Sequence, residues 1–230
     1  IFLVLKLPKE EVYLNERLPV KILLFVADLS VADVHFPEFN QPGVDAEKFG
    51  QPQQYDQVVK GVRYHIAEFN TNIYPARTGE MTIGPVTLDC NIVMRSASAR
   101  APFGGSMFDD DFFKTFFDRY EKRPLTLRSG TSSLTVLPLP EENKPAGFAG
   151  AVGQFSLDAS VGPAEVNVGD PVTVKMQIGG EGNLRMVQPP AFAGADHFKV
   201  YDPQIKEESG FKKLEQVLIP ESEQITEIPA

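Results

Sequence analysis

The stretch that decides the fold is residues 165–178, EVNVGDPVTVKMQI. It predicts a short strand, a tight turn at Gly169 and a longer strand, because apolar and polar side chains alternate from Val172 to Ile178. An alternation of period two is typical of a sheet that has one buried face and one solvated face. We therefore predict a half-buried β-strand at this position.

The same pattern occurs once earlier in the chain. Residues 11–16, EVYLNE, are followed after two inserted residues by PVKILLF at residues 19–25. Asn15 stands where the later copy has Gly169, and both residue types tolerate the positive φ of a tight turn. The longer strand of this copy is apolar on both faces, so we expect both faces to be covered. One unit used twice predicts two domains.

The composition and the net charge limit the classes of protein to which this chain can belong. Charged residues form 23% of the chain and hydrophobic residues 42%, as in a folded soluble protein. A formal net charge of -9 works against a general attraction to nucleic acid or anionic membrane. No stretch has the roughly 18 apolar residues of a membrane span, and none reads as a signal peptide. The chain begins inside a strand without methionine, so we expect a piece of a longer protein.

The residues that could carry chemistry do not form a reactive pattern. The single cysteine, Cys90, excludes an internal disulfide and a cysteine zinc site. It shares the parity of apolar strand residues, so a buried, inert thiol is favoured over a reactive one. His35, His65 and His197 lack ligand spacing, and His65 falls on the polar face of its strand. We predict no catalytic residue, no cofactor and no metal site.

Two further clusters have ordinary structural interpretations. Three consecutive acids, residues 109–111, lack the alternate spacing of a calcium loop, and we interpret them as the first turn of a helix. The run GGEGN at residues 179–183 has the small residues of an anion-binding nest but follows a strand, and we interpret it as a turn with positive φ angles.

An insertion at residues 95–123 interrupts the strand pattern of the first unit and has no counterpart in the second. Aromatic residues recur in it every four positions, which predicts a short amphipathic helix with one aromatic stripe. The stripe either packs internally as a satellite cluster, or docks in a groove of a partner protein. The residues of this predicted docking stripe are Phe108, Phe112, Phe113, Phe116, Phe117 and Tyr120.

Short alternating strands predict an all-β fold of two tandem immunoglobulin-like antiparallel β-sandwich domains, the first with the inserted helix. We place the domains at residues 1–140 and 151–230, joined by a proline-spaced linker at 141–150. The second is expected to be truncated at its C-terminus, and its first strand to turn Phe155, Leu157, Ala159 and Val161 inward. Short strands are also predicted at 33–36 and 184–187, and an irregular connection from residue 38 to 57.

Six segments of the chain carry a recognisable pattern: EVYLNE at 11–16, the phenylalanine-rich acidic insertion, LTVLPLP at 134–140, GAVGQF at 150–155, GEGNL at 180–184 and FKVYDP at 198–203. Together they resemble the BatD family of the bacterial aerotolerance operon. Asn15 departs from the glycine that this family more often has at that turn. The resemblance spans nearly the whole chain, and the order of its segments is more specific than any one of them.

The resemblance implies a membrane-anchored parent whose β-sandwich domains lie outside the cytoplasm, in the periplasm of a Gram-negative cell. It also implies protein partners: von Willebrand A-type proteins, tetratricopeptide-repeat proteins and a MoxR-type ATPase. It supplies no catalytic residues. We therefore expect a non-enzymatic extracytoplasmic scaffold linked to oxygen tolerance. The alternative is a cell-surface adhesive or carbohydrate-binding array, which the absence of tryptophan disfavours because sugars stack on aromatic platforms.

Overall fold

The computed structural model describes residues 1–95, 120–145, 147–188, 190, 197–208, 210–225 and 227–228. These residues form sixteen strands and one turn of 3₁₀ helix at Leu184–Met186, with no α-helix among them. Nearly all strand pairs are antiparallel. The all-β prediction is confirmed, and the several antiparallel sheets are consistent with a β-sandwich.

The strands range in length from three to fourteen residues. In chain order they are β1 (Phe2–Lys6), β2 (Glu11–Tyr13), β3 (Leu18–Val26), β4 (Ser30–Ala32), β5 (Val44–Ala46), β6 (Gln53–Val59), β7 (Val62–Pro75), β8 (Gly79–Ile83), β9 (Thr87–Arg95), β10 (Tyr120–Arg128), β11 (Ser132–Leu137), β12 (Gly153–Gly162), β13 (Val172–Gly182), β14 (Phe198–Val200), β15 (Gln204–Glu208) and β16 (Phe211–Pro220).

The chain divides into two compact units. The first contains Ile1–Tyr13 and Leu18–Pro138, and the second contains Leu14–Arg17 and Leu139–Ala230. The first unit has a five-stranded sheet, in which β1, β3, β7 and β5 are neighbours and β6 also pairs with β7. It has two three-stranded sheets besides, with the orders β10-β9-β4 and β2-β11-β8. In the last of these, β2 and β11 run parallel.

Both faces of β3 are buried from Ile22 to Phe25, whereas Pro19 and Lys21 on its outer face are exposed, so the prediction of a strand covered on both faces holds only in part. Leu18, Val20, Ile22 and Leu24 alternate on the inner face, where none is more than 1% exposed. On the outer face, Leu23 packs in a second cluster with the side chains of neighbouring strands. Buried residues of the inner core come from all three sheets of the unit, as expected for sheets that pack face to face. They include Val12, Ile83, Leu88, Leu134 and Val136.

The second unit has one five-stranded sheet, with the order β12-β13-β16-β14 and with β15 also paired to β16. Its strand order is the same as that of the five-stranded sheet in the first unit. The core of this sheet is formed by Val174, Met176 and Ile178 of β13 with Leu214 and Leu218 of β16. The half-buried strand predicted from residue 172 onward is therefore confirmed.

The structure corrects three predicted connections. The short strand lies at β4 rather than at 33–36, because Asp33 has φ 51° and cannot continue an extended strand. The predicted irregular connection from 38 to 57 contains β5 and part of β6, which are held by pairing with β7. The strand predicted at 184–187 is the 3₁₀ turn.

The glycine run at 179–183 does not form the predicted turn. Its first four residues belong to β13 and pair with β12. A Cβ on Gly180 would meet the carbonyl oxygen of Gln154 on the neighbouring strand, and the φ of Gly180 is 142°. Gly180 therefore lets two backbones approach closely in a paired strand.

The inward side of β12 is only partly as predicted. Leu157 and Val161 lie opposite Ile178 and Val174, and so share the face of the buried residues of β13. They are nevertheless 52% and 48% exposed. The alternation gave the correct face, but β12 is an edge strand and the described residues leave these two side chains uncovered.

Candidate binding site

A groove of about 740 Å³ lies over the inner face of the five-stranded sheet in the first unit. One wall consists of alternate residues of β3, β6 and β7, and the other of residues between Ala27 and Phe36. The apolar lining includes Leu24, Val26, Leu29, Val34, Phe36 and Phe69. Leu24 and Phe69 are buried, whereas Leu29, Val34 and Phe36 are exposed, so the apolar surface that is open to solvent belongs to the wall formed by residues 27–36.

The groove exists because the chain changes sheets after β3. β3 belongs to the five-stranded sheet, whereas β4 pairs with β9 in another sheet. Asp28 and Asp33 bracket the crossing with φ angles of 53° and 51°, which aspartate tolerates better than bulky residues do. The crossing segment thus forms the second wall.

Hydrogen bonds fix the crossing segment to β9 and β10. The Asp33 carboxylate accepts hydrogen bonds from Lys122 Nζ at 2.7 Å and Asn91 Nδ2 at 2.9 Å. These two donors, Lys122 first, lower the pKa of the Asp33 carboxyl from its ordinary value. The backbone N–H of His35 also donates to the Asp89 carbonyl oxygen at 2.9 Å. The second wall is therefore anchored at Asp33 and again at His35.

One end of the groove is polar. His65 Nδ1 lies 3.0 Å from Asp56 Oδ1, and the two residues are directly opposite each other in β7 and β6. Both side chains are more than half exposed, at 56% and 60%. Arg63 lines the same end. The predicted solvated His65 is confirmed, and this end offers both donors and acceptors to a bound molecule.

The other end is aromatic. The Phe36 ring stacks on Phe49 with centroids 6.5 Å apart, and meets Phe69 edge-on at 6.1 Å. Phe36 is nevertheless 51% exposed. Aromatic residues with this partial exposure are typical anchors of protein interfaces. The groove thus combines an aromatic end with a hydrogen-bonding end.

A charged network on the outer face of the same sheet supports the first wall. Glu68 is 7% exposed and accepts hydrogen bonds from Lys21 Nζ at 2.7 Å and Tyr55 Oη at 3.0 Å. The Lys21 ammonium is the main cause that lowers the pKa of the Glu68 carboxyl. Burial is the main cause that raises the pKa of the Tyr55 phenol. Because the three residues lie on β3, β6 and β7, they tie together the strands that form the wall.

The predicted docking stripe cannot be placed on this groove. Phe108, Phe112, Phe113, Phe116 and Phe117 lie outside the described residues. The backbone of Tyr120 begins β10 and pairs with Arg95, so the strand resumes four residues earlier than the predicted Pro124. β9 extends to Arg95 and β10 begins at Tyr120, so both ends of the predicted insertion at 95–123 belong to paired strands.

The structure also gives the positions of the three histidines and the cysteine that the sequence analysis considered. His35, His65 and His197 are not brought together, and no cluster of three or more metal-ligating side chains occurs in the described part of the chain. Cys90 is buried, as predicted. Burial raises the pKa of its thiol, and the charge of Asp89 adds to this effect.

Sequence reasoning missed the groove itself. Leu29, Val34 and Phe36 occur in a short segment with mixed polarity, and nothing in its spacing distinguishes a groove wall from a loop. A usable signal was present at residues 53–59, where glutamine, tyrosine and valine precede the Lys60-Gly61 turn. This pattern is compatible with the first strand of a hairpin.

No family model matches the chain, and no curated protein matches it significantly. Within the described ranges, no helix has the length and apolarity that crossing a bilayer requires.

Proposed function

We propose that this chain is a non-enzymatic protein-interaction module that serves as a scaffold. The observation that carries the proposal is the apolar groove of the first unit, with its exposed Phe36 end and its polar His65–Asp56 end. A groove with an aromatic anchor and a few directed polar groups suits a peptide segment or a protein loop. The ionisable residues among the described lining are Asp28, Asp56, Arg63 and His65, and they can pair with polar or charged groups of a partner.

The rigid construction of the groove supports the same function. Its two walls are held separately, one by the Glu68 network and one by the contacts of Asp33. A preformed site loses less conformational entropy when it binds than a mobile one does. The geometry therefore suits a site that binds the same kind of partner surface in each binding event.

The finer identity of the protein is part of the proposal. In it, the two units are tandem immunoglobulin-like domains at residues 1–140 and 151–230, in a BatD-like protein that is anchored to a membrane and faces the periplasm. Partners of the von Willebrand A and tetratricopeptide-repeat classes would bind it, and oxygen tolerance would depend on that assembly. The sequence resemblance and the strand order shared by the two sheets support this identity.

Site-specific photocrosslinking in cells tests the proposal. A photoreactive amino acid at Val34, in the groove, should capture a discrete partner band. The same probe at Val62, an exposed valine at the start of β7 that is not in the groove lining, is the matched control. Exchanging Leu29 for aspartate should remove the band without loss of folding, because Leu29 is exposed.

Two outcomes would contradict the proposal. Equal capture at both positions would show that contact at Val34 is not specific. Saturable binding to a glycan array, with no protein captured at Val34, would instead favour the adhesive or carbohydrate-binding alternative.

A further inference from the structure

β12 (Gly153–Gly162) forms one edge of the five-stranded sheet in the second unit. Among the described strands it pairs with β13 alone, along its whole length. Most of its residues are exposed. A strand at a sheet edge presents N–H and C=O groups that can pair with a strand of another chain. β12 is therefore a candidate for extension of the sheet.

The hydrogen bonds to β13 show which backbone groups of β12 face outward. The Asn183 N–H donates to the Val152 carbonyl oxygen at 3.2 Å, and the two residues are directly opposite each other. In an antiparallel pair, every second residue directs both its N–H and its C=O to the neighbouring strand. Leu157, Ala159 and Val161 are an odd number of positions from Val152. Their backbone N–H and C=O groups therefore point away from β13.

β12 lacks the residues that commonly protect a sheet edge. Lysine, proline and clustered charges discourage pairing with another chain. The edge strand β10, which has a similar length, carries EKRP at residues 121–124, and the edge strand β15 carries KEE at residues 206–208. β12 contains no lysine, arginine or proline, and Asp158 is its single charged residue. Its composition therefore permits pairing that those two edges resist.

The sequence of β12 is complementary to itself when two copies run antiparallel about Ala159. Leu157 of each copy then lies opposite Val161 of the other, and Asp158 lies opposite Ser160. Leu157 and Val161 are 52% and 48% exposed, so the pairing brings two open apolar side chains together. An axis at Asp158 would instead place two carboxylates directly opposite each other, which is unfavourable.

Charge on the polar face favours the same register. Lys175 of β13 lies directly opposite Ser160 of β12, and both are exposed. In the antiparallel pair, Asp158 of the other copy lies on the far side of that serine. Two strand spacings, about 9.6 Å, separate the two backbones, and the long lysine side chain can reach the carboxylate across the small serine. A two-fold symmetric pair forms this contact twice.

We propose that this chain forms a two-fold symmetric dimer in which β12 of one copy pairs antiparallel with β12 of a second copy. Ala159 lies at the axis, and residues 156–162 of each copy pair with each other. The two five-stranded sheets join into one continuous sheet, and their apolar faces meet at the junction. Because a single pair of strands buries little area, the dimer is reversible, with a dissociation constant of about 10–500 μM. The proposal does not depend on the groove of the first unit.

Analytical ultracentrifugation of the full 230-residue chain tests the proposal. Between about 10 μM and 1 mM, the mean mass should rise toward twice that of one chain. Ser160→Asp should weaken the dimer at least about fivefold, because it places a second carboxylate opposite Asp158 on both sides of the axis. Adding Asp158→Lys to Ser160→Asp should restore the dimer, because opposite charges then face each other again.

A control variant separates this effect from a general increase in negative charge. Val58→Asp adds the same charge at a 61% exposed valine of the first unit, so it should leave the dimer unchanged. Positions 158 and 160 are exposed, so their variants should fold, which circular dichroism checks.

Disulfide crosslinking tests the register of the pair. Ala159→Cys places two thiols at the axis, within reach of a disulfide bond, and the native Cys90 is buried. Gln154→Cys, at an exposed position of the same strand, places its two thiols ten positions apart, about 33 Å. Mild oxidation should therefore crosslink Ala159→Cys and leave Gln154→Cys uncrosslinked.

Three results would overturn the proposal. The first is a chain that stays monomeric at about 1 mM, where a dimer this weak is still detectable. The second is a dimer that Ser160→Asp leaves unchanged, since its interface would lie elsewhere. The third is equal crosslinking of Ala159→Cys and Gln154→Cys, because the proposed register brings only the first pair of thiols together.

Discussion

Replacing Glu68 with glutamine should destabilise the first unit measurably at neutral pH. The carboxylate is nearly buried and receives hydrogen bonds from Lys21 and Tyr55. Hydrogen bonds to charged groups contribute about 1.5–3 kcal/mol, while exposed ion pairs contribute at most about 1 kcal/mol. In the Glu68→Gln variant, water can solvate the Lys21 ammonium, which is already 55% exposed. The Tyr55 hydroxyl can still donate a hydrogen bond to the side-chain oxygen of the new glutamine. We therefore expect a loss of about 1–2 kcal/mol.

The loss should depend on pH in one direction. The pKa of the Glu68 carboxyl is lowered in the folded protein from its ordinary value of 4.5, mainly by the hydrogen bond from Lys21. Its contribution to stability is therefore complete above that ordinary value and is lost as the pH falls through the lowered folded-state pKa. The wild type and Glu68→Gln should converge in stability in acid, because the carboxyl is protonated there.

Urea unfolding followed by far-ultraviolet circular dichroism measures the effect, since the chain has no tryptophan. Glu80→Gln, at an exposed glutamate of β8, is the control and should change stability by less than about 0.5 kcal/mol. Adding Lys21→Gln to Glu68→Gln should have little further effect, although Lys21→Gln alone destabilises the unit. Strictly additive losses, or a loss that persists unchanged in acid, would refute the reasoning.

Three further predictions concern the core, the thiol and the sheet of the second unit. Leu18→Ala should lower the free energy of unfolding in urea by about 2–5 kcal/mol, because Leu18 is fully buried. Leu29→Ala, at an exposed site, should lower it by less than about 0.5 kcal/mol. Equal losses for the two variants would contradict the assignment of the core. Cys90 should react with a thiol reagent only in denaturant, and rapid reaction of the native protein would show that it is accessible. Gly180→Ala should destabilise the second unit by more than about 1 kcal/mol, because the new Cβ would collide with the carbonyl oxygen of Gln154. Gly179→Ala should not, because a Cβ there meets its neighbours only at ordinary van der Waals distances, and similar melting curves for both variants would rule out the close strand approach.

Local sequence signals were sufficient for the long apolar strands and their turns. Val172 to Ile178 alternate strictly, so period two identified both the strand and its buried face. Asn15 and Gly169 were predicted to occupy positive-φ turns, and their φ angles are 61° and 91°. These features depend on neighbouring residues alone, which is why they could be predicted.

Strands without an apolar face could not be predicted in the same way. β6 is exposed along most of its length, and pairing with β7 is what holds it extended. The glycine run of β13 has turn composition, but its place beside the backbone of β12 makes it a strand. In both cases a partner strand, remote in the chain, overrides the local preference of the residues.

By itself, the sequence determined that this protein is all-β, that a strand pattern is used twice, and which faces of its longest strands are apolar. Only the tertiary structure decided where those faces are covered and where they remain open. It placed Leu29 and Phe36 in a groove wall, and it left Val166 exposed where Val12 is buried. The physical reason is that alternation specifies a face, whereas burial depends on a second layer contributed by residues far away in the chain.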